Sequence, residues 1–322
     1  MESDKMRHIT QLDEAAELFK ALGSDIRIQI IKLLMVHKRM NLNEIATALG
    51  ITNGALTSHI KKLENAHLIT INSESTGHGN QKLCSLCLDK LLIDFEGNES
   101  VQNVYNTSLK VGHYSNYKVY PTCGLASSTS IIGEVDDIRY FSHPDRYNAD
   151  ILWFTKGYVE YEIPNFIPAG QRITQIMISA ELCSEAPGVN SVWPSDITFS
   201  LNGTELGTWT SPGDFGDVRG LFTPEWWYPN WNQYGLLKMI VVNETGTFLD
   251  GLQISDVSIH PFALTGKSKL LLRFSVKHDA QHVGGLTIFG SSFGNYAQDI
   301  KVSIHYVPEE TQDVKDNKGT GK

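Results

Sequence analysis

The chain has 322 residues, of which 41% are hydrophobic and 20% charged, and it carries a net charge of −9. That length points to two domains rather than one, and the composition is that of ordinary globular protein. It excludes a membrane span, because no apolar run reaches the ~18 residues that a crossing helix needs.

"MESDKMRHITQ" lacks the apolar core of a secretory signal. The four cysteines, Cys84, Cys87, Cys123 and Cys183, are too irregular for a disulfide framework. A cytoplasmic protein is expected. Residues 1–95 hold 11 basic and 11 acidic residues, whereas the remainder holds 16 and 25. All six Trp and all twelve Tyr lie at or beyond Tyr105. The shift predicts a first domain over 1–95, a polar linker over 96–108, a second domain over 109–307 and a disordered tail over 308–322. Only the second domain is acidic enough to make a poor partner for nucleic acid.

In chain order, "QLDEAAELFKAL" places Leu12, Ala15, Ala16, Phe19 and Leu22 on one helical stripe. Gly23 ends that helix, and Ser24 or Asp25 can cap the next, "IRIQIIKLLMV". Asn41 opens a short helix with Glu44 three residues on, a capping box, and Gly50 closes it. Thr52 caps a fourth helix that turns Leu56, Ile60 and Leu63 inward. Two short helices joined in this way describe a helix-turn-helix. The following "LITINSES", "TGHGN" and "QKLCSLC" read as strand, tip and strand, a wing.

"FKALGSDIRIQIIKLL" with "LNEIATALGITNGALTSHIKKLENAHLI" resembles the ArsR-type winged helix-turn-helix regulators over about the first 90 residues, the pair Ser58-His59 included. The resemblance implies a homodimer, a recognition helix that reads double-stranded DNA at an inverted-repeat operator, and a repressor released by a small ligand. Carried over by position, Thr52, Asn53, Gly54, Ala55, Thr57 and Ser58 lie at the N-terminal part of the recognition helix, which faces base edges. Lys61, Lys62 and Lys82 would contact phosphates, with His78 and Asn80 of the wing near the backbone or minor groove. His59 falls at a packing position. The chain departs from the family at His67, where glycine is usual, at Ser58, where a basic residue is usual, and at a wing tip without arginine. Modest affinity that depends on dimerisation is therefore expected. The helix "NEIATAL" lacks the family's cysteine pair. Cys84 and Cys87, three apart on a strand, point to opposite faces. No metal or cofactor is expected.

After the wing, "LDKLLIDFEGN" fits a short helix or a strand. From Lys110 onward the helical period vanishes. About ten alternating or β-branched runs, "ILWFT", "RITQIMISAELC" and "LLKMIVVN" among them, predict a β-sandwich or jelly roll. The fold class is thus multidomain α+β, with a loose fold-level likeness to jelly-roll carbohydrate-binding domains. Asn202-Gly203 should form a two-residue hairpin turn.

A long connection from Thr210 to Tyr234 breaks the strand pattern, and loops this long in compact domains tend to be functional. It ends in "TPEWWYPNWNQY" and offers Asp214, Asp217, Arg219, Glu225, Trp226, Trp227 and Trp231 as a ligand site. Stiff aromatic rings beside carboxylates and a guanidinium suit a small effector, with a saccharide as the favoured class. Trp193 or Trp209 could form an opposite wall. One of Trp226 and Trp227 is expected to be core, since adjacent residues in extended chain face opposite ways.

Three weaker constellations read as structural. These are Glu134 with Asp136 and Asp137, His278 with His282, and Cys123 without a histidine base near it in sequence. The leading reading is a ligand-responsive regulator without enzymatic activity. Its rivals are a glycosidase using Glu225 with Asp214 or Asp217, and a sandwich used only for dimerisation or partner binding.

Overall fold

A computed structural model describes residues 6–9, 12–76, 79–88, 90–93 and 103–309. The chain divides into two units, one within residues 2–97 and the other within 98–322.

The first unit runs β1 (Met6–Ile9), α1 (Leu12–Leu22), α2 (Asp25–His37), β2 (Arg39–Asn41), α3 (Leu42–Leu49), α4 (Asn53–Asn65), β3 (Ile69–Thr76), β4 (Gly79–Leu86) and β5 (Lys90–Ile93). Its caps follow the local chemistry. Asn41 Oδ1 accepts from the Glu44 amide while Glu44 Oε2 accepts from the Asn41 amide, the reciprocal box at the start of α3. Gly50 ends α3 in the left-handed region at φ 64°, and Thr52 Oγ1 accepts from the Ala55 amide at 3.3 Å to open α4. Ser24 precedes α2 without a side-chain cap. Arg27 is buried and donates to the carbonyls of Ala21 and Lys20, the orphan acceptors at the end of α1.

Leu18, Ile30, Leu34, Ile45, Leu56, Ile60, Leu63 and Cys84 close one apolar core. Beside it β2, β4 and β3 form the wing sheet. The segment after the wing is a strand, β5, paired in parallel with β1. Cys84 is buried in the core and Cys87 lies beyond the end of β4. Asn80 is in β4, while His78 lies outside the described residues.

The second unit is β6 (Asn103–Leu109), β7 (Asn116–Ala126), β8 (Ile151–Ile163), β9 (Gln171–Cys183), β10 (Ser195–Leu201), β11 (Thr204–Ser211), β12 (Leu236–Val242), β13 (Thr247–Leu249), β14 (Leu252–Ser255), β15 (Leu270–Val276), β16 (Leu286–Phe289) and β17 (Ile300–Pro308). All pair antiparallel in one sheet of order β11-β10-β15-β8-β16-β9-β12-β13-β14. There β7 flanks β8, and β17 lies between β9 and β6. The sheet is nearly closed into a barrel-like sandwich around a single large core. Residues 103–108, expected in the linker, belong to β6, which pairs with β17. The expected tail begins inside β17, and residues 310–322 lie outside the described residues, as do 94–102. Asn202 and Gly203 both take positive φ, 48° and 83°, as a two-residue turn between β10 and β11 requires.

"ILWFT" and "YVEYEIP" belong to one strand, β8, interrupted by Gly157 at φ 111°. Leu152 and Phe154 face the large core in its first part, and Val159, Tyr161 and Ile163 do in its second. The side-chain parity changes between Phe154 and Val159, where the ladder with β7 shifts register between Tyr120 and Cys123. A Cβ at Gly157 would sit 1.9 Å from the Lys118 carbonyl oxygen, so no other residue fits. Ahead of the flip, Ile151 and Trp153 join Cys183 and Phe289 on the outer face, where the connection 212–235 covers them.

His67 follows α4 at φ 54°, its amide on the Glu64 carbonyl at 2.9 Å, and its side chain is exposed. A left-handed non-glycine residue costs ~1–2 kcal/mol, of which glycine's extra chain entropy returns about half. His67→Gly should therefore stabilise the first unit by about 0.5–1 kcal/mol. Urea denaturation followed by the helical signal would read this, and a loss of stability would contradict the strain.

Candidate functional site

The residues singled out in the sequence fall on two surfaces, one in each unit. In the first, α4 is amphipathic along its length. Leu56, Ile60 and Leu63 are buried, whereas Thr52, Asn53, Gly54, Ala55, Thr57, Ser58, Lys61 and Lys62 are exposed. Asn53 Nδ2 donates to Asn43 Oδ1 at 2.8 Å and Thr57 Oγ1 donates to the Asn53 carbonyl at 2.7 Å. Both side chains are thereby held ahead of any contact. Lys82 is exposed on β4. His59 is half-buried, and its imidazole is held below its ordinary pKa by burial first, then by Arg27 and Lys62. It fits packing better than contact with phosphate.

In the second unit the connection 212–235 is stapled in place by its own polar groups. Arg219 donates to the Pro224 and Glu225 carbonyls. Thr223 Oγ1 donates to the Gln233 carbonyl at 2.6 Å, and Gln233 Nε2 to those of Tyr228 and Trp231. Trp226 Nε1 reaches the Ser128 carbonyl at 2.7 Å, 98 residues away in sequence. Trp227 is 1% exposed, donates to the Asn232 carbonyl at 2.8 Å, and packs edge-on against Trp153, Trp231 and Phe293. It is the core member of the adjacent pair.

Beside this plug lies a cavity of about 160 Å³ lined by Trp153, Trp227, Trp231, Asp136, Glu185, Asp214 and Asn232, with Thr122, Val135 and residues 186–188 at its rim. Of the residues expected from the sequence, it brings together Asp214, Trp227 and Trp231. Asp217 is occupied by the Tyr234 hydroxyl at 2.5 Å, and Arg219 is spent on the loop's backbone. Glu225 is exposed, and with Asp217, Arg219 and Trp226 it falls outside the lining. Trp193 and Trp209 do not line the cavity either; Trp209 packs on the large core beneath the Lys238 ammonium.

Glu185, Asp136 and Trp153 come from elsewhere in the chain. The usable signal was "ILWF" and "LTIF": apolar runs without alternation, which demand cover on both faces and so lead to the covering loop.

The carboxylates are electrically unusual. Glu185 Oε2 accepts from Asn232 Nδ2 at 3.1 Å and Thr287 Oγ1 at 2.9 Å. Burial, then the neighbouring Asp214, pushes its carboxyl well above the usual range. Asp214 is 1% exposed; its Oδ2 accepts from the Ala186 amide at 3.0 Å. Burial pushes it up to about 7. Asp136 Oδ1 accepts from the Cys123 amide at 2.8 Å.

Cys123 itself is buried and pushed up to about 12 by burial and nearby carboxylates, so its thiol is unsuited to nucleophilic attack. His282 hydrogen-bonds Asp196 at 3.3 Å, and Asp137 is paired with Arg139. Among the described residues no group of His, Cys, Asp and Glu is arranged to hold a metal ion.

Residues 24–70 match a family model described as winged helix-turn-helix DNA-binding, and the first unit carries that domain. Among solved structures the chain is similar to a possible transcriptional regulatory protein (fragment 1–100) from Mycobacterium bovis. The two are 26% identical over 24% of this chain and 76% of that one, with a TM-score of 0.21. It is similar to HlyU from Vibrio cholerae at 22% identity over 24% and 77%, with a TM-score of 0.21. A third similarity, to dimeric latent PorU from Porphyromonas gingivalis, is 9% identical over 75% of this chain and 18% of that one, with a TM-score of 0.28. No curated protein matches the chain.

Two outcomes follow from the cavity's construction. Trp227→Ala should cost the ~3–5 kcal/mol of a buried aromatic, whereas Trp231→Ala, half-buried at the rim, should cost less than about 2 kcal/mol. Equal costs in thermal denaturation would contradict this division. Asp214 is protonated in the fold up to about pH 7, but in the unfolded chain only below about pH 4. Folding therefore takes up a proton between these limits, and stability falls as pH rises through 7. Glu185 acts in the same direction. The second unit should melt higher at pH 5.5 than at pH 8, and Asp214→Asn should shrink that difference.

Proposed function

We propose that the chain is a ligand-responsive transcriptional regulator: an ArsR-type repressor acting as a homodimer on an inverted-repeat operator, with an effector site in its jelly-roll-like second unit. The observation that carries the reading is α4. Its exposed face from Thr52 to Ser58 is flanked by Lys61 and Lys62 in a unit that matches the winged DNA-binding model. The face is of a size and polarity to enter a major groove, and the two lysines stand where a phosphate backbone would pass.

Dimerisation is supported by an apolar groove of about 330 Å³, lined by Leu22, Ile31, Leu34, Met35, Leu88 and Leu91 among others, with Val36 exposed nearby. The effector reading is supported by the walls of Trp153 and Trp231 beside three carboxylates. A saccharide, laid on those rings with its hydroxyls on the carboxylates, is the class expected from the loop. We take the site to bind rather than to catalyse. Glycosidic cleavage needs one carboxyl protonated and its partner ionised. Here Glu185 and Asp214 are both displaced upward, and Glu225 and Asp217 lie apart from the cavity.

The full-length chain should bind a short inverted-repeat duplex, read by fluorescence anisotropy. Replacing Lys61 and Lys62 together by Ala should weaken binding to every duplex, and should lower the salt slope by about 0.9 for each phosphate no longer neutralised. Ser58→Ala should instead change sequence preference. An inert full-length chain at low salt would overturn the reading.

A further inference from the structure

The cavity in the second unit has an imbalance of charge and of hydrogen-bond donors. Asp136, Glu185 and Asp214 line it, and its lining contains no lysine, arginine or histidine. The donors that reach these carboxylates are already engaged. Asn232 Nδ2 serves Glu185 and Thr287, the Ala186 amide serves Asp214 Oδ2, and the Cys123 amide serves Asp136. Asp214 Oδ1, on a side chain 1% exposed, has no hydrogen-bond partner among the described residues. A buried carboxylate without a counter-charge is costly unless something supplies one. The walls are the faces and edges of Trp153, Trp227 and Trp231, and indole is the side chain that best attracts a cation. The space, about 160 Å³, suits a molecule of few heavy atoms.

We propose that the cavity binds a small organic ammonium ion, and that within the saccharide class this is an amino sugar. The ammonium donates to Glu185 and Asp214, with Asp136 at the mouth, and the ring's C–H face rests on Trp231 and Trp153. Three N–H donors and one positive charge supply what the lining lacks, whereas a neutral sugar supplies donors without the charge. This rests on the proposal that the cavity is the effector site.

The test uses the full-length chain and three sugars of one ring type: glucosamine, glucose and N-acetylglucosamine, read by tryptophan fluorescence and calorimetry. Glucosamine should saturate with an affinity at least about tenfold above both neutral sugars. Glu185→Gln should lower the glucosamine affinity about tenfold or more, a larger factor than it takes from any glucose binding, because only the ammonium loses a charge partner. Asp136 is exposed and sits at φ 64°, a conformation asparagine tolerates, so Asp136→Asn carries little folding risk. It should weaken glucosamine several-fold. Glucose binding as tightly as glucosamine, unaltered in both variants, would overturn the ammonium proposal and leave a neutral effector site standing. No response to any of the three sugars, or to ethanolamine as the smallest ammonium probe, would overturn the effector site as well.

Discussion

The end of the sheet where β8, β16 and β9 meet is apolar on both faces, and the second unit is organised around covering it twice. Leu152, Phe154, Leu286 and Ile288 point into the large core while Ile151, Trp153 and Phe289 point outward. An outward face of that kind loses stability at roughly 25 cal/mol for each square ångström left in water. The connection 212–235 supplies the second cover, with Trp227 as its deepest ring and Phe215 stacked on Tyr234 at 5.4 Å beside it. The register shift opposite β7 between Tyr120 and Cys123 accompanies a change of parity in β8, so that its second half faces only one apolar layer. The cavity is the gap left where the cover meets the strand ends.

Buried carboxylates around that cover divide into two kinds. Glu181 is 1% exposed and accepts from the amides of Gly235, Asn295 and Tyr296. Burial pushes it up to about 8 although those donors favour the ionised form. It latches the turn at Gly294, where a Cβ would fall 2.3 Å from its carboxylate oxygen. Glu181 is thus accounted for by the fold. Asp214 and Glu185 are not: one keeps an unpartnered oxygen and each raises the cost of the other's charge. The Lys238–Asp250 pair shows that this chain does place a lysine against a buried carboxylate where structure alone requires it. The cavity lining contains no such lysine.

The first unit was legible in the sequence because its signals are local. A capping box, a glycine in the left-handed region and a threonine cap each act within four residues, and α3 and α4 begin and end where those residues stand. In the second unit the apolar runs marked most of the strands. Those missed were β6, whose "NVYNTSL" is mostly polar, β7, broken by Pro121, and the short β13. The site was half legible. Asp214, Trp227 and Trp231 share one loop, whereas Trp153 comes from the start of β8, Glu185 from just past β9 and Asp136 from the turn at 135–136, brought there by pairings that no local pattern encodes. Arg219 and Asp217 have the right chemistry for a ligand, but the loop consumes both to hold its own shape.

A ligand changes an equilibrium only by binding its two states unequally. The cavity offers a physical source for that inequality. It is assembled from the 135–136 turn, β8, the 185–188 segment and the covering loop, and these are joined across it by carboxylates that oppose one another's ionisation. Empty, that assembly keeps its acids neutral or bears their repulsion. A group that donated to both would relieve that repulsion. On the proposed reading, the free energy so released would be the most a ligand in this cavity could contribute toward altering DNA binding. An interaction made equally well in both states adds to affinity alone, so the unsatisfied acids, rather than the stacked rings, are where regulation would originate.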